Sequence, residues 1–225
     1  MSTIAERWQA VRARVDEACV RAGRDPKAVT IVAVSKTHPA AAVREAAAAG
    51  ATDFGENYAQ ELVAKRPACG DVRWHFIGRL QRNKAKLVAG QVALVHAVDS
   101  VELAQELAKR AAGVLQPILI SVNVAGEDTK GGVTPDAAIA LARALVTVDG
   151  VRLDGLMTMP PPSDDPEASR PAFDALRGLR DRIAQDLGRS LPVLSMGMSG
   201  DFEVAIACGA THVRIGTAIF GSRSA

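Results

Sequence analysis

Aromatic residues and surplus charge are both scarce in this chain of 225 residues. Phe, Trp and Tyr together make up 4% of the sequence, and the formal net charge is only +2. Proteins that bind nucleic acid usually present aromatic stacking platforms or a clear excess of basic charge, so this composition argues against that class of protein. The weak net charge also gives no general attraction to an anionic membrane surface. We therefore expect no nucleic-acid or membrane partner.

Cysteines and long apolar runs are also few. Cys19, Cys69 and Cys208 are odd in number and widely spaced, which argues against a disulfide framework and against a cysteine-bound zinc site. No apolar run reaches the length of a membrane span. Acidic residues from Glu6 onward interrupt the N-terminus, where an export signal would need an apolar stretch. These features predict a soluble, cytoplasmic protein.

Short apolar runs alternate with longer helical patterns along most of the chain. An amphipathic helix is predicted first, over about residues 3–23, with Thr3 and Glu6 as its capping box. The predicted strands cover residues 29–35, 52–55, 73–77, 93–98, 117–124, 151–157, 192–196 and 212–215. Helices are predicted near residues 39–49, 56–66, 80–89, 100–112, 135–147, 167–187 and 200–208.

Eight strands joined by helices at this regularity predict a parallel sheet. The length fits one closed (β/α)8 barrel that occupies residues 1–225, and the N-terminal helix is expected to cover the surface beside a short last helix. An open doubly wound sheet is the alternative. That fold usually carries a Gly-x-Gly-x-x-Gly turn after its first strand, and residues 35–39 read Ser-Lys-Thr-His-Pro instead.

A proline-rich segment, residues 160–171, follows the sixth predicted strand. Its prolines predict a loop, because proline is excluded from the interior of a regular strand or helix. The loop should hang over the C-terminal mouth of the barrel, where barrel active sites lie. Two interpretations stay open, a lid over the site and a solvated connector.

A lysine ends the first predicted strand, in Thr30-Ile-Val-Ala-Val-Ser-Lys36-Thr-His-Pro39. The strand is apolar on both faces, so we expect Lys36 to point into or just above the barrel mouth. Burial disfavours the ammonium form, so a partly desolvated lysine offers a free amine that can form a Schiff base with a carbonyl. On this residue alone, an ordinary lysine with its ammonium in water is the favoured interpretation.

Two glycine-containing turns near the end of the chain shift the interpretation of Lys36 toward Schiff-base formation. They are Ser195-Met-Gly-Met-Ser-Gly-Asp201 and Arg214-Ile-Gly-Thr-Ala, after the seventh and eighth predicted strands. In (β/α)8 barrels the loops at these two places frequently bind a phosphate. Glycine lets the backbone approach the phosphate at Gly216, while Ser199 and Thr217 offer hydroxyls and amides. A ligand that needs both an amine and a phosphate site is pyridoxal 5′-phosphate.

Further polar residues follow other strands. Arg214 could donate to the pyridine nitrogen, which would keep that nitrogen unprotonated and weaken the ring as an electron sink. A phosphate or carboxylate partner is the alternative. Asn57 could hydrogen-bond the ring hydroxyl, and we expect His75 to be a hydrogen-bonded core residue rather than part of the site. No metal site is predicted, because the other histidines lack metal-ligand spacing. A basic cluster is either a solvated helix start or an attractor for an anionic cofactor: Arg79, Arg82, Lys84 and Lys86.

Taken together, these motifs resemble the pyridoxal phosphate homeostasis protein family. The resemblance covers nearly the whole chain, in order. It lies in Ala33-Val-Ser-Lys-Thr37, Phe54-Gly-Glu-Asn-Tyr58, Trp74-His-Phe-Ile-Gly78 with the Leu-Gln and Asn-Lys pairs that follow, Ser195-Met-Gly-Met-Ser199 and Val213-Arg-Ile-Gly-Thr-Ala-Ile-Phe-Gly221.

The resemblance implies a barrel of the alanine-racemase N-terminal type that holds pyridoxal phosphate as a Schiff base on Lys36. It implies a regulator of vitamin B6 and amino-acid balance, usually without demonstrated catalysis. The residues predicted to bind the cofactor are Lys36, Asn57, Met198, Ser199, Arg214, Gly216 and Thr217.

Three functions fit these observations. The first is a carrier that holds and releases pyridoxal phosphate, with apo-enzymes as candidate transient partners. The second is a small racemase, although related racemases use an added β domain and commonly a tyrosine from it. This chain is expected to lack that domain and to be a monomer, and its single tyrosine is Tyr58. The third is a barrel enzyme in which Lys36 forms a Schiff base with a phosphorylated sugar. The missing racemase parts favour the carrier.

Overall fold

Eight parallel strands close into a barrel in the computed structural model, which describes residues 2–124, 126 and 131–221. Each strand pairs with the next along the chain, and the eighth pairs with the first. The strands are β1 (Thr30–Val34), β2 (Asp53–Glu56), β3 (Arg73–Phe76), β4 (Leu94–Val98), β5 (Gln116–Ser121), β6 (Val151–Met157), β7 (Val193–Ser195) and β8 (His212–Ile215). The predicted (β/α)8 barrel is confirmed.

Helices surround the barrel on the outside. They are α1 (Ile4–Arg21), α2 (Ala40–Ala48), α3 (Ala59–Lys65), α4 (Val101–Arg110), α5 (Pro135–Leu145), α6 (Arg170–Leu187), α7 (Phe202–Ala207) and α8 (Thr217–Phe220). Short 3-10 turns occur at Pro26–Ala28, Arg66–Ala68, Arg82–Leu87 and Pro166–Ser169. Among the described residues, no helix is both long enough and apolar enough to cross a membrane.

The N-terminal helix α1 packs against α2, α7 and α8. It begins where Thr3 and Glu6 form the predicted capping box, each side chain accepting from the backbone N–H of the other residue. One face of α1 is buried, and Arg7 Nε on that helix donates to the carbonyl of Ile219 in α8 at 2.6 Å. The helix therefore covers the barrel beside its short last helix, as expected from the sequence.

Two sequence predictions of local structure were wrong. The helix predicted over residues 80–89 is a 3-10 segment, Arg82–Leu87. The loop predicted over 160–171 overlapped the helix predicted near 167–187. The loop ends earlier, because Pro166–Ser169 forms a 3-10 turn, and the helix is confirmed as α6, which begins at Arg170. Pro171 lies in the first turn of α6, where the missing N–H would have no helical partner and the fixed φ favours the helix. Proline therefore marks a helix start here.

We expect Gly155→Ala to destabilise the protein by about 3 kcal/mol or more. Gly155 pairs with Val193 between β6 and β7, and a β-carbon at Gly155 would overlap the Val193 carbonyl oxygen. A matched control is Gly178→Ala in α6, where a β-carbon meets no atom within 4 Å. It should stabilise the helix by about 0.5–1 kcal/mol. Urea unfolding of both variants measures the difference, and equal stabilities would contradict the close approach of β6 and β7.

Candidate functional site

A cavity of about 440 Å³ opens at the carboxyl ends of the strands. This volume is in the range of small-molecule sites, and this end of a (β/α)8 barrel is where its active sites lie. The loops after β1, β2, β3, β7 and β8 contribute to its wall. All of the residues predicted to bind a cofactor line this cavity: Lys36, Asn57, Met198, Ser199, Arg214, Gly216 and Thr217. The fold thus brings together residues that are far apart in the sequence.

Lys36 is half-buried and lies in a turn two residues beyond the end of β1. The next residue, Thr37, has a φ of 66°, a left-handed conformation that a β-branched residue rarely adopts. Its backbone N–H donates to Oε2 of Glu61 in α3 at 2.8 Å. Unusual backbone conformations of this kind persist where surrounding contacts hold them, and they occur most often at functional sites.

The contacts that hold this turn converge on Lys65, a buried residue at the end of α3. Its Nζ donates to the carbonyl of Ser35 at 2.8 Å, to Oε1 of Glu56 at 2.8 Å and to Oε2 of Glu61 at 2.7 Å. Ser35 Oγ also donates to Glu56 Oε1 at 2.7 Å. One ammonium group thereby joins the end of β1, the end of β2 and α3 directly beside Lys36.

The two carboxylates around Lys65 differ in environment. Burial raises the pKa of Glu56, and hydrogen bonds from Lys65 and Ser35 only partly offset it. Burial also acts on the more exposed Glu61, but hydrogen bonds from Lys65 and from the Thr37 amide lower its pKa overall. Sequence reasoning missed this cluster. The Glu61–Lys65 spacing of four residues on a helix was the one available signal.

The two C-terminal turns meet at Ser199. Its Oγ accepts from the backbone N–H groups of Gly216 at 3.3 Å and Ala218 at 3.4 Å. Asp201 Oδ1 accepts from the Met198 amide at 2.6 Å, which fixes the shape of the first turn. Backbone amides and hydroxyls therefore point into one small region, as a phosphate site requires.

Gly197 allows the first of these turns to lie close to α7. Its φ is +91°, and a β-carbon there would come within 2.5 Å of the Ala205 β-carbon. The same turn is tied to the segment before α6, because Ser169 Oγ donates to Asp201 Oδ2 at 2.8 Å. None of residues 160–171 is among the described lining residues of the cavity, so the solvated connector describes this segment better than a lid.

Arg214 is a buried cation at the base of the cavity, 6% exposed. One terminal nitrogen, Nη1, donates to Ser195 Oγ at 2.7 Å, and Nη2 donates to the Thr158 carbonyl at 2.9 Å. Burial lowers the pKa of Arg214 to about 10, so the guanidinium stays protonated at neutral pH. Both acceptors are neutral, and Asp201 acts on this charge only from beyond ion-pair distance, which partly offsets the effect of burial. This cation is therefore available to an electron-rich ligand atom.

Asn57 follows β2 and lines the cavity wall. Its Oδ1 is buried and has no hydrogen-bond partner among the described residues. The backbone of Asn57 lies against Gly78, where any β-carbon would overlap the Asn57 carbonyl. An unpaired buried polar atom is costly, so a ligand hydroxyl in the cavity would relieve that cost.

The predicted core role of His75 is confirmed. It is buried, and its Nε2 lies 2.9 Å from Asp53 Oδ1. His96 and His212, to which the sequence assigned nothing, lie beside it with ring centroids 5.2 and 5.9 Å away. Burial lowers the pKa of His96 well below its ordinary value and that of His212 to about 4, so both rings are neutral. The described residues contain no cluster that could hold a metal ion.

The basic cluster after β3 divides into two parts. Arg79 lines the cavity and is highly exposed, with its Nε 4.0 Å from Asp99 Oδ2. Arg82 and Lys84 line a neighbouring groove, and Lys86 is exposed. The cavity mouth therefore carries one exposed arginine of this cluster, while the other three members of the cluster lie outside its described lining.

Comparison with known proteins places this geometry in a family. Residues 6–224 match the model of the alanine racemase N-terminal domain. A pyridoxal phosphate homeostasis protein of Pseudomonas aeruginosa is 49% identical, over 99% of this chain and 97% of that protein. The chain belongs to the pyridoxal phosphate homeostasis protein family. The resemblance seen in the sequence motifs is confirmed.

Solved structures agree with this assignment. PipY of Synechococcus elongatus, in a structure with pyridoxal phosphate bound, is 35% identical with a TM-score of 0.85, covering 97% of this chain and 100% of that chain. The alanine racemase of Corynebacterium glutamicum is 19% identical with a TM-score of 0.72, covering 96% of this chain and 62% of that one. The racemase shares the barrel fold, and the present chain matches only part of it.

We expect Lys65→Met to destabilise the protein by about 3–5 kcal/mol, because it leaves the buried Glu56 carboxylate without its ammonium partner. Adding Glu56→Gln in the same chain should restore part of the loss, since the second change removes the buried charge. Lys109→Met, on the exposed end of α4, is the matched control and should change stability by less than about 0.5 kcal/mol. Urea unfolding measures all three variants. A double variant no more stable than Lys65→Met would contradict the pairing.

Proposed function

We propose that this protein binds pyridoxal 5′-phosphate as a Schiff base on Lys36, holds it in reserve and releases it, and so contributes to vitamin B6 homeostasis. The observation that carries the proposal is one cavity that combines Lys36, the Ser199–Gly216 region and the Arg214 guanidinium. Pyridoxal phosphate has an aldehyde, a phosphate and a pyridine nitrogen, and each has a chemically matched group in this wall. The names and the bound cofactor of the relatives described above support the same ligand.

Each proposed contact follows from the chemistry of the residue. Lys36 supplies the amine that condenses with the aldehyde, with loss of water. The backbone amides of Gly216 and Thr217, with the hydroxyls of Ser199 and Thr217, receive the phosphate. Met198 contributes the backbone and apolar side of that turn. Asn57 offers its unpaired Oδ1 to the ring hydroxyl.

Arg214 bears on whether the bound cofactor supports chemistry. A protonated pyridine nitrogen makes the cofactor ring a strong electron sink, and a carboxylate partner would favour that form. A guanidinium can only donate, so Arg214 favours the unprotonated nitrogen. We propose that the cofactor is consequently held without robust catalysis. Tyr58, the single tyrosine, lies in the neighbouring groove and not in the described cavity lining, which also weighs against a racemase.

The proposal extends to the setting in which the protein acts. A protein that stores a reactive aldehyde would pass it to apo-enzymes through transient contacts. We propose a cytoplasmic monomer, and a reducing compartment agrees with three cysteines that are buried and outside any disulfide.

Adding pyridoxal phosphate to the protein should produce a visible absorbance band that borohydride abolishes, with the reduced adduct mapped to Lys36 by peptide mass spectrometry. Lys36→Ala should lose the band and the adduct, because the condensing amine is gone. Lys84→Ala, outside the described lining of the cavity, is the matched control and should retain both. A protein that stays colourless with added cofactor, or that traps a sugar phosphate at Lys36 instead, would contradict the proposal.

The loaded protein should racemise or transaminate no amino acid at an ordinary enzymatic rate, which is about 1–1,000 per second. The physical reason is the donor-only partner proposed for the ring nitrogen. Loss of optical activity and release of keto acid, followed across alanine, serine and a panel of other amino acids, provide the measurement. Turnover of any one of them at such a rate would favour the racemase instead.

A further inference from the structure

A continuous series of hydrogen bonds runs from the amino end of the barrel to the base of the cavity. It begins at Asp53, the first residue of β2, whose Oδ1 lies 2.9 Å from Nε2 of His75 in β3. His75 Nδ1 lies 2.9 Å from Nε2 of His96 in β4. His96 Nδ1 lies 2.8 Å from Oγ of Ser195 in β7, which accepts from Nη1 of Arg214 in β8 at 2.7 Å. Each of these side chains is buried.

The carboxylate end of this series fixes its direction. Arg214 can only donate, so Ser195 Oγ accepts from it, and the hydroxyl keeps one proton and one further acceptor site that suit either direction of its bond to His96. At the other end, burial of Asp53 is outweighed by hydrogen bonds from His75, Arg73 and Thr52, which hold the pKa of this carboxyl well below its usual range. An ionised carboxylate can only accept, so His75 must donate to it.

Only one arrangement of protons satisfies both ends with neutral rings. Ser195 donates to Nδ1 of His96, so the His96 proton is on Nε2 and is donated to Nδ1 of His75. The His75 proton is then also on Nε2, donated to Asp53. Burial above all, together with the nearby Arg214 cation, lowers the pKa of His96 and keeps it neutral, so it carries one ring proton on one of its two nitrogens. Which ring nitrogen carries a proton is set in general by the partner of the other nitrogen.

We propose that Asp53, His75, His96 and Ser195 form a one-way hydrogen-bond chain that positions Arg214, so that exchanging the acceptor at Asp53 reverses both histidine tautomers and alters the arginine at the base of the cavity. These four are positioning residues, and none of them is in the described lining of the cavity. The tautomer part of this proposal is independent of any ligand, while its effect on ligand binding rests on the proposed function.

Asp53→Asn provides a test because one orientation of the new amide is favoured. Oδ2 of Asp53 accepts from Arg73 Nη2 at 2.7 Å and from Thr52 Oγ1 at 2.6 Å. Arg73 can only donate, so the amide oxygen is favoured on its side and the amide NH2 on the side of His75 Nε2. That nitrogen then becomes an acceptor. His75 must donate from Nδ1 to His96, and His96 must donate from Nδ1 to Ser195.

The experiment is NMR of the protein without cofactor, with its histidine rings labelled with 15N. The chain has four histidines, so single substitutions can assign the signals. We expect the Nε2–H tautomer for both His75 and His96 in the unaltered protein, and the Nδ1–H tautomer for both in Asp53→Asn. Asp154→Asn is the matched control, because Asp154 also pairs with an arginine, Arg152, but has no contact with the histidines. It should leave both tautomers unchanged.

Ligand binding gives a second, separate readout. In Asp53→Asn, Ser195 Oγ receives hydrogen bonds from both His96 and Arg214, and this competition alters the position of the guanidinium. We therefore expect pyridoxal phosphate to bind about threefold to tenfold more weakly, with no change in Asp154→Asn. Unaltered cofactor affinity in an Asp53→Asn protein whose tautomers have reversed would overturn the effect on Arg214.

The proposed hydrogen-bond chain from Asp53 to Arg214 would be overturned by either of two results. One is an Nδ1–H or doubly protonated ring at His75 or His96 in the unaltered protein, a measurement that needs no variant to fold. The other is a folded Asp53→Asn protein in which both histidines keep the Nε2–H tautomer. Failure of borohydride to fix the cofactor on Lys36 would contradict the proposed function and leave the tautomer result standing.

Discussion

Pairing between β8 and β1 is the contact on which the cavity depends. These strands are the last and the first in the sequence, yet Val32 pairs with Arg214 and Ala33 with Ile215. The closure places Lys36, just beyond β1, in the same wall as Gly216 and Thr217, just beyond β8. An open sheet would leave these residues on opposite edges. One backbone ladder therefore turns two separate motifs into one site.

Two buried cations lie near the cavity and are compensated differently. Lys65 contacts two carboxylates and a carbonyl, so its charge is neutralised locally and its role is to hold the turn that carries Lys36. Arg214 contacts a hydroxyl and a carbonyl, and Asp201 acts on its charge only from beyond ion-pair distance. Burying a charge without a directly bonded counter-ion is expensive. This cost arises at the base of the cavity, where an electron-rich ligand atom would reduce it.

The barrel interior is polar in the layer beneath Arg214. The polar series from Asp53 to Ser195 passes through four different strands, so no single element could form it. Every member has a partner, which is the condition under which a buried polar network is tolerated in a core. A network of this kind also restricts proton positions, because its ends are a donor-only and an acceptor-only group.

Much of the fold was predictable because each element has a local cause. The apolar runs that became strands, the Thr3–Glu6 capping box and the glycine turns after β7 and β8 all depend on residues close together in the chain. Residues 82–87 were misassigned to a helix, because a 3-10 turn and an α-helix share apolar spacing. Pro171 was placed in both a loop and a helix, because proline is favourable in a first helical turn as well as in a loop.

The sequence by itself determined the barrel, the order of its strands and the seven predicted residues of the cavity wall. Strand order around a parallel barrel follows chain order, so motifs at strand ends must meet at one mouth. Tertiary structure alone decided the Lys65 contacts, the neutral hydrogen-bond partners of Arg214 and the histidine series. These depend on side chains from different strands coming within about 3 Å of one another, a distance set by barrel closure and packing. No local pattern encodes such a distance.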